Sequence, residues 1–371
     1  MKKIATITFH SPYNHGSSLQ AYALQEYIKK ICKDCDYKII NLRTAKQKEM
    51  YKSCFEKDDI KNRIKSLLSF YEKKSRLVRR DKFENFINNV LQVTKEYSTL
   101  EEIKQSLCDF DYYISGSDQL WNLNAKDFDW ANFLEFVNAG KKISYAASFG
   151  ATKQHWNESE KERVKRDLEK YDNISVREQG SFDNVKELIN YEPRINIDPT
   201  MLITREEWLN IIEKEPLIKE DYIFFYNLKG DKNIIKLAKK VSKILKMPIV
   251  VTQRTFKVEV FYGYKKMLDA GPLEFLNLIN NAKLVLSSSF HGTVFSILLN
   301  KPFFAINGKD DYRISTLLKK MDLNERTIEM DNIIEKCNEF EKINFNMSYK
   351  LLEQERKKSE NYLKNALDIK E

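Results

Sequence analysis

The chain has 371 residues, of which 42% are hydrophobic and 32% are charged, and its formal net charge is +9. This length predicts two domains, because one domain usually takes ~100–200 residues. The apolar runs are short and interrupted, which excludes a membrane-spanning helix. The first run ends at residues 11–15 without a small-residue cleavage site. We therefore expect no signal peptide and a cytoplasmic protein.

The positive charge is concentrated in residues 60–83, which contain nine Lys and Arg residues against Glu72 and Asp81. Apolar residues recur there at helical spacing, which predicts a pair of surface helices with a solvated basic face. The alternative is a surface for anions, either a phosphorylated substrate or the anionic inner leaflet of the cell membrane, with peripheral membrane contact. No nucleic-acid-binding module accompanies the charge, so we expect no nucleic-acid partner.

Strand-like and helix-like segments alternate along the chain. In the first series, the strand KIATITF precedes a helix from Ser17, the strand YKIINL, the basic helical region, and strands within FDYYISGSDQLW, KISYAASFG, NISVREQGS and RINI. In the second series, strands lie in YIFFYNL, PIVVTQ, KLVLSSS and PFFAIN, and the helices between them cover residues 232–245, 272–280 and 292–300. Such alternation predicts parallel sheets with right-handed crossovers.

The two series predict two doubly wound, Rossmann-like α/β domains that face one cleft. We expect the N-terminal domain in residues 1–203, with a basic helical insertion at about 44–100, and the C-terminal domain in residues 204–345. The helix predicted within residues 346–371 should pack back on the first domain.

Five scattered cysteines predict thiols in a reducing compartment. Cys32 and Cys35 have CxxC spacing, but they close a predicted helix, whereas a redox CxxC usually opens one and gains thiolate stability from its dipole. A zinc site would need a second ligand pair, and no other CxxC or HxxxH occurs. We therefore expect neither a metal nor a cofactor.

Small and polar residues follow the predicted strands, and open α/β sheets bind ligands outside the carboxyl ends of their strands. The candidates at these ends are Asn14, Gly16, Ser117, Asp118, Ser148, Arg177, Ser289, Phe290, His291, Gly292 and Thr293. The chain has no P-loop, GxGxxG or GxSxG motif, so the common nucleotide fingerprints and the serine-hydrolase elbow are absent.

His291 lies on a polar turn between a strand and a helix. The preceding serines can cap that helix, and Gly292 allows a ligand to approach the backbone closely. The N-terminus of the helix favours an anion, and a histidine there can donate or accept a proton at neutral pH. The alternative is a histidine that only caps or packs.

Arg177 follows the short apolar strand Ile174-Ser175-Val176. An arginine at a strand end suits a bidentate clamp on a carboxylate or phosphate. The alternative is an internal ion pair with Glu178 or Asp198. Asp118 is either an orienting carboxylate or a helix cap.

Seven segments together resemble the polysaccharide pyruvyl transferase family, in the family's order between Asn14 and Leu323. They are NHGSSLQAYALQ, DYYISGSDQLWN, SYAASFG, SVREQGS, DPTML, SSSFHGTVFSILLNKPFFAI and DYRISTLLKKMDL. Residues 44–100 match no family motif, and we expect them to determine the acceptor.

This resemblance implies a fold similar to GT-B glycosyltransferases, with the active site between a first, acceptor-side domain and a second, donor-side domain. It implies transfer of the carboxyethylidene group of phosphoenolpyruvate onto two hydroxyls of a sugar, in a cell-surface polysaccharide or its lipid-linked precursor. His291 matches the family's catalytic histidine and Arg177 its donor-binding arginine. Ser148, Phe290 and Arg313 fall at or beside donor-site positions.

The residues fit that chemistry, because a compact trianion needs arginine and helix N-termini, and ketal formation needs a proton delivered to the methylene carbon. The chemistry requires no metal. One rival is a GT-B glycosyltransferase with a nucleotide-sugar donor, in which Asp310 or Asp311 would hold the ribose. The other is a binding protein without activity, which predicts that His291 and Arg177 are dispensable.

Overall fold

The computed structural model of the chain describes residues 1–56, 66–107, 109–150, 154–227, 231–252, 265–306 and 311–369. The chain divides into two units. Unit 1 comprises Met1–Lys57, Glu84–Ile203 and Glu353–Glu371, and unit 2 comprises Asp58–Phe83 and Thr204–Leu352.

Strands and helices alternate as the sequence predicts. Up to residue 203 the elements are β1 (Lys2–Ile7), α1 (His15–Ile31), β2 (Cys35–Leu42), α2 (Ala45–Glu56), α3 (Ser66–Asn89), β3 (Val93–Tyr97), α4 (Leu100–Ser106), β4 (Tyr112–Ser115), β5 (Lys141–Ser144), α5 (Glu158–Leu168), β6 (Ser175–Val176), α6 (Gln179–Ile189) and β7 (Arg194–Ile195). From residue 204 they are α7 (Arg205–Ile211), β8 (Ile223–Tyr226), α8 (Lys232–Leu245), β9 (Ile249–Val251), β10 (Lys265–Lys266), α9 (Pro272–Asn280), β11 (Leu284–Ser287), α10 (Phe290–Leu298), β12 (Phe303–Ile306), α11 (Tyr312–Lys320), β13 (Thr327–Ile328), α12 (Ile333–Asn338) and α13 (Asn346–Ala366).

The main sheet of unit 1 is parallel, with the strand order β3-β2-β1-β4-β5. The central strand β1 pairs with β2 at Ile4 and Tyr37 and with β4 at Ile4 and Tyr112. Its apolar side chains are buried, as expected for a strand covered on both faces. The short parallel pair β6-β7 adjoins this sheet through single bridges, such as the one between Ala147 and Val176.

The sheet of unit 2 is also parallel, with the order β10-β9-β8-β11-β12-β13. Numbered from the first strand of each unit, both sheets have the order 3-2-1-4-5, and unit 2 adds a sixth strand. This is the order of the Rossmann fold, in which strand addition changes direction beside the first strand. The prediction of two Rossmann-like α/β domains is therefore confirmed. The prediction that the active site lies in a cleft between them stays a prediction.

Local sequence explains the helices that flank these strand ends. Asn14 has extended backbone angles and caps α1 through its side chain. All nine residues of α10 are buried, which suits its apolar sequence. By contrast α8 buries only one face and ends at Lys246, whose φ of 53° is left-handed.

The last part of α13 belongs to unit 1 and packs on its carbonyl groups. Arg356 donates from Nε to the carbonyl oxygen of Met201 at 2.6 Å and from Nη2 to that of Ile203 at 2.8 Å. Tyr362 donates its hydroxyl to the carbonyl oxygen of Ser144 at 2.7 Å, at the end of β5.

The basic residues up to Phe83 belong to unit 2, whereas the sequence analysis placed them in the first domain. Residues 58–83 group with unit 2, because Lys82 Nζ lies 2.7 Å from Glu274 Oε1 and Arg79 donates to the Thr252 carbonyl at 2.7 Å. Part of the predicted helix pair lies outside the described residues, and the described part is the single helix α3.

The basic side chains of α3 do not all lie on a solvated face. Lys73, Lys74 and Arg80 are exposed, but Arg79 is buried, with 9% of its surface accessible. Membrane contact of this region stays a prediction. In the described part of the chain, every helix is too short or too polar to cross a bilayer.

Arg356→Ala should destabilise the protein, because it removes two charge-assisted hydrogen bonds and leaves two carbonyls short of a donor. We expect a loss of roughly 2–4 kcal/mol in the free energy of unfolding, measured in urea. Lys357→Ala is the control, because Lys357 is exposed on the same helix. Equal stability of the two variants would contradict this packing of α13.

Candidate active site

In unit 1 a hydrogen bond joins the polar ends of β1 and β4. Asn14 Oδ1 accepts from the backbone N–H groups of Gly16 at 3.0 Å and Ser17 at 3.4 Å, which fixes the start of α1. Ser17 Oγ then donates to Asp118 Oδ2 at 2.8 Å. This contact lies where strand addition reverses, which is the place where such sheets bind ligands.

Arg177 follows β6 and is enclosed by carboxylates, with 2% of its side chain exposed. Its Nη1 donates to Asp198 Oδ2 at 2.7 Å, Nη2 lies 3.5 Å from Asp118 Oδ1, and Nε lies 3.6 Å from Glu178 Oε2. Burial by itself lowers the pKa of Arg177, but the charges of Asp198, Asp118 and Glu178 outweigh it and raise the pKa above its ordinary value. The guanidinium is therefore firmly cationic.

Asp198 is the centre of this network. It also accepts from Ser117 Oγ at 3.1 Å, and its second oxygen accepts from the N–H and hydroxyl of Thr200 at 3.0 and 2.7 Å. The internal ion pair between Arg177 and Asp198, one of the alternatives that the sequence left open, is therefore present. A donor-binding role for Arg177 stays a prediction, and the donor would have to reach a guanidinium already held among three carboxylates.

Asp118 and Ser148 shape the loops around this network. Asp118 has φ 75°, a left-handed conformation that aspartate tolerates better than most residues. Its backbone carbonyl accepts from the N–H of Ser148 at 3.0 Å, and the Ser148 hydroxyl accepts from the N–H of Gly150 at 3.0 Å. Ser148 is fully buried. Its observed contacts therefore order the turn.

In unit 2 an equivalent hydrogen bond joins the ends of β8 and β11, since Ser288 Oγ donates to Asn227 Oδ1 at 2.9 Å. Ser289 is the N-cap of α10 but makes no capping hydrogen bond with its side chain. Ser287 braces the turn instead, because its hydroxyl accepts from the N–H of Ser289 and donates to its carbonyl, both at 3.0 Å.

His291 lies in the first turn of α10, with 7% of its surface exposed. Its ring meets the ring of Phe290 edge to face, with 5.3 Å between the centroids. The N–H and the hydroxyl of Thr293 both donate to the Ser289 carbonyl at 3.1 Å. First-turn N–H groups have no partner within a helix, and the helix dipole favours an anion beside them.

Gly292 is needed for a different reason from the one the sequence suggested. A Cβ atom at this position would overlap Ser287 Oγ, and it would lie 3.1 Å from both Ser287 Cβ and Tyr226 Cδ1. The missing side chain allows α10 to pack closely on the ends of β8 and β11. The expected close approach of a ligand to the Gly292 backbone stays a prediction.

Arg313 is paired within its own helix turn. Its Nε and Nη2 donate to the two oxygens of Asp311 at 2.9 and 2.6 Å, and Asp311 also caps α11. Asp311 was one proposed ribose anchor, and this pairing occupies both of its oxygens. The other, Asp310, lies outside the described residues.

Sequence reasoning missed several residues at these edges, namely Asp198 as a network centre, Tyr226, Asn227, Ser287 and Arg79. Asn227 follows a strand just as Ser288 does, so the rule of polar strand ends could have found it. Arg79 carries no local signal, because its position depends on the packing of α3. Among the described residues, no group of three or more His, Cys, Asp or Glu side chains could hold a metal ion.

Comparison with solved structures identifies the class of fold. The chain is similar to Staphylococcus aureus MnaA solved with UDP, at 12% identity and a TM-score of 0.57, covering 100% of this chain and 98% of that one. It is similar to UDP-N-acetylglucosamine 2-epimerase from Rickettsia bellii, at 13% identity and a TM-score of 0.55, covering 99% of this chain and 97% of that one. It is also similar to UDP-GlcNAc 2-epimerase from Neisseria meningitidis bound to UDP-GlcNAc. The identity is 12% and the TM-score 0.53, and the match covers 98% of this chain and 100% of that one. At these identities the likeness establishes a GT-B-like fold and no shared reaction.

The family is established separately. The model of the polysaccharide pyruvyl transferase family matches residues 14–310. The chain therefore belongs to this family, and it is an enzyme of the transferase class with a glycan acceptor. A comparison with curated proteins finds no match.

Arg177→Met should destabilise unit 1, because three carboxylates would stay buried without their cation. We expect a loss of about 3–5 kcal/mol in the free energy of unfolding, as for other broken buried ion pairs. The double variant Arg177→Met/Asp198→Asn should recover part of it. Lys186→Ala, which removes an exposed ion pair, is the control. Stability equal to the wild type in Arg177→Met would refute this account of the network.

Gly292→Ala should destabilise unit 2 through overpacking, by roughly 1–3 kcal/mol in urea unfolding. The same substitution made on a Ser287→Gly background should cost less, since the overlapping hydroxyl and Cβ are gone. An equal cost on both backgrounds would mean that Ser287 does not limit this position.

Proposed function

We propose that the protein transfers the carboxyethylidene group of phosphoenolpyruvate to two hydroxyls of one sugar, in a polysaccharide or its lipid-linked precursor. The products would be a cyclic ketal and inorganic phosphate. The observation that carries the proposal is His291 in the first turn of α10, beside the reversal point of a Rossmann sheet. Membership of the pyruvyl transferase family supports the class of reaction.

The reaction needs a proton relay. Two bonds form between sugar oxygens and the central carbon of phosphoenolpyruvate, the bond from that carbon to the phosphate oxygen breaks, and the methylene group becomes a methyl. Of the two hydroxyl protons, one ends on the methyl carbon and the other on the released phosphate. A histidine suits the relay, because it can give a proton to the methylene carbon and take one from an attacking hydroxyl.

The first turn of α10 supplies the complementary electrostatics. Charge grows on the phosphate oxygen as its bond to carbon breaks, and N–H groups fixed at a helix N-terminus can stabilise that charge without rearranging. Ser287 and Asn227 hold the turn in place through the hydrogen bonds to Ser289 and Ser288. We include Arg177 as a donor-binding residue, which would have to bind the donor while held among Asp198, Asp118 and Glu178.

The second candidate is a glycosyltransferase with a nucleotide-sugar donor. It is favoured by the fold neighbours that were solved with UDP or UDP-GlcNAc. Against it, Asp311 is engaged by Arg313, so it is poorly placed to bind ribose hydroxyls. Incubation with each donor and a panel of glycan acceptors separates the two. Phosphate release with a pyruvate-ketal mass gain on the acceptor supports the proposal, and release of a nucleoside diphosphate contradicts it.

His291→Asn should keep the fold and still bind phosphoenolpyruvate, while turnover falls about 100-fold or more, as for a lost general acid–base. The measurements are donor affinity by calorimetry and the rate of phosphate release with acceptor present. His155→Asn, at an exposed histidine, is the matched control and should turn over like the wild type. Normal turnover in His291→Asn would make the ring structural and place the acid elsewhere.

A further inference from the structure

Arg79 is the buried cation of the described basic stretch, in which Arg76 and Lys82 are partly buried. Its neighbours Lys73, Lys74 and Arg80 face solvent, whereas Arg79 turns inward within unit 2. Its guanidinium lies over the ring of Phe83, 5.3 Å from the centroid, and Nη1 donates to the Thr252 carbonyl at 2.7 Å. Thr252 follows directly after β9, so the cation lies at the carboxyl edge of the sheet that carries His291.

The charge of Arg79 acts on the end of the neighbouring strand. Burial raises the pKa of Tyr226, the last residue of β8, and Arg79 opposes that rise. Tyr226 in turn packs against Gly292, next to His291. The cation and the histidine turn therefore flank the end of β8, one beside β9 and the other beside β11.

The spacing suits a small dianionic or trianionic ligand. β9 and β11 are both neighbours of β8, so their ends are separated by two strand spacings, ~10 Å. A hydrogen bond of ~3 Å on each side leaves ~4 Å, which is about the separation of a phosphate and a carboxylate that are attached to the same carbon.

A second, independent feature lies at the same strand end. The hydroxyl of Thr252 is buried, with 1% of the residue exposed, and within the described residues it has no hydrogen-bond partner. A buried hydroxyl without a partner costs stability, which a ligand oxygen would restore. Such a group marks the end of β9 as a place that receives a polar ligand.

We propose that Arg79 and the Thr252 hydroxyl bind an anionic group of the donor, its phosphate or its carboxylate. The identity of the donor rests on the function proposed above, whereas the binding of an anion here does not. The Thr252 carbonyl and the Phe83 ring hold the guanidinium plane in one orientation. A held planar fork can then make paired, charge-assisted hydrogen bonds to a phosphate or carboxylate.

The test compares Arg79→Gln with Arg80→Gln, an adjacent exposed arginine that pairs with Asp81. Affinity for phosphoenolpyruvate is measured by calorimetry on the full chain, with inorganic phosphate as competitor and melting temperature as a check on folding. We expect affinity about 10- to 100-fold weaker in Arg79→Gln, because a hydrogen bond to a charged group is lost. Arg79→Lys should recover part of it, and Arg80→Gln should match the wild type.

Thr252→Val is the second variant. It should weaken phosphoenolpyruvate binding without lowering the melting temperature, since the hydroxyl it removes contributes nothing to the folded chain. A lower melting temperature with unchanged affinity, in either Arg79→Gln or Thr252→Val, would assign that residue to packing and overturn its part of the proposal.

The same titrations distinguish this inference from the proposed function. If the wild type binds UDP but not phosphoenolpyruvate, and Arg79→Gln weakens UDP binding, the donor proposed above is wrong and the anion site stands. If phosphoenolpyruvate turnover and affinity are the same in Arg79→Gln and the wild type, the function stands and the role of Arg79 is refuted.

Discussion

Strand addition reverses beside the first strand of each sheet, and the candidate site depends on this constraint. At the reversal the loops after two neighbouring strands leave in opposite directions, which opens a crevice that helices do not fill. Each unit secures that place in the same way. In unit 1 Ser17, in the first turn of the helix after β1, donates to Asp118, which follows β4. In unit 2 Ser288, which follows β11, donates to Asn227, which follows β8. Several of the predicted site residues lie at these two edges, whereas Arg177 follows β6.

The two edges differ in their charge. In unit 1 one guanidinium faces Asp118, Glu178 and Asp198, so the cluster carries more negative than positive charge. In unit 2 the edge holds the N-terminus of α10 and the cation of Arg79, which suit an anion. The division into an acceptor side and a donor side, implied by family resemblance, stays a prediction.

The sequence was sufficient for the fold class, because the longer strands and helices show a local periodicity and their alternation predicts parallel sheets. The short strands β3, β10 and β13 were not predicted. The sequence also located the turn of His291, since a polar break between an apolar strand and an apolar helix is a local pattern. It could not give the reasons that depend on distant partners. A side chain at Gly292 would collide with Ser287 and Tyr226. Arg177 pairs with Asp198, and helix α6 and strand β7 lie between these two residues in the sequence. Nor could periodicity decide that α3 is divided, with its part up to Phe83 in unit 2, because that depends on Lys82 meeting Glu274 and on Arg79 reaching the end of β9.

The inward turn of Arg79 changes how a basic stretch should be interpreted. In the sequence, the nine cations between residues 60 and 83 form one patch, and the sequence analysis interpreted them together. The helix separates them, however, because residues one position apart point in directions ~100° apart, so Arg79 can be buried while Arg80 is exposed. A buried guanidinium in a medium of low dielectric attracts an anion far more strongly than exposed lysines in water and salt. If an anion binds at the sheet edge as proposed, the exposed cations can vary with little effect on it, whereas Arg79 cannot. A segment without family motifs can in this way contribute to a site whose other parts are family motifs.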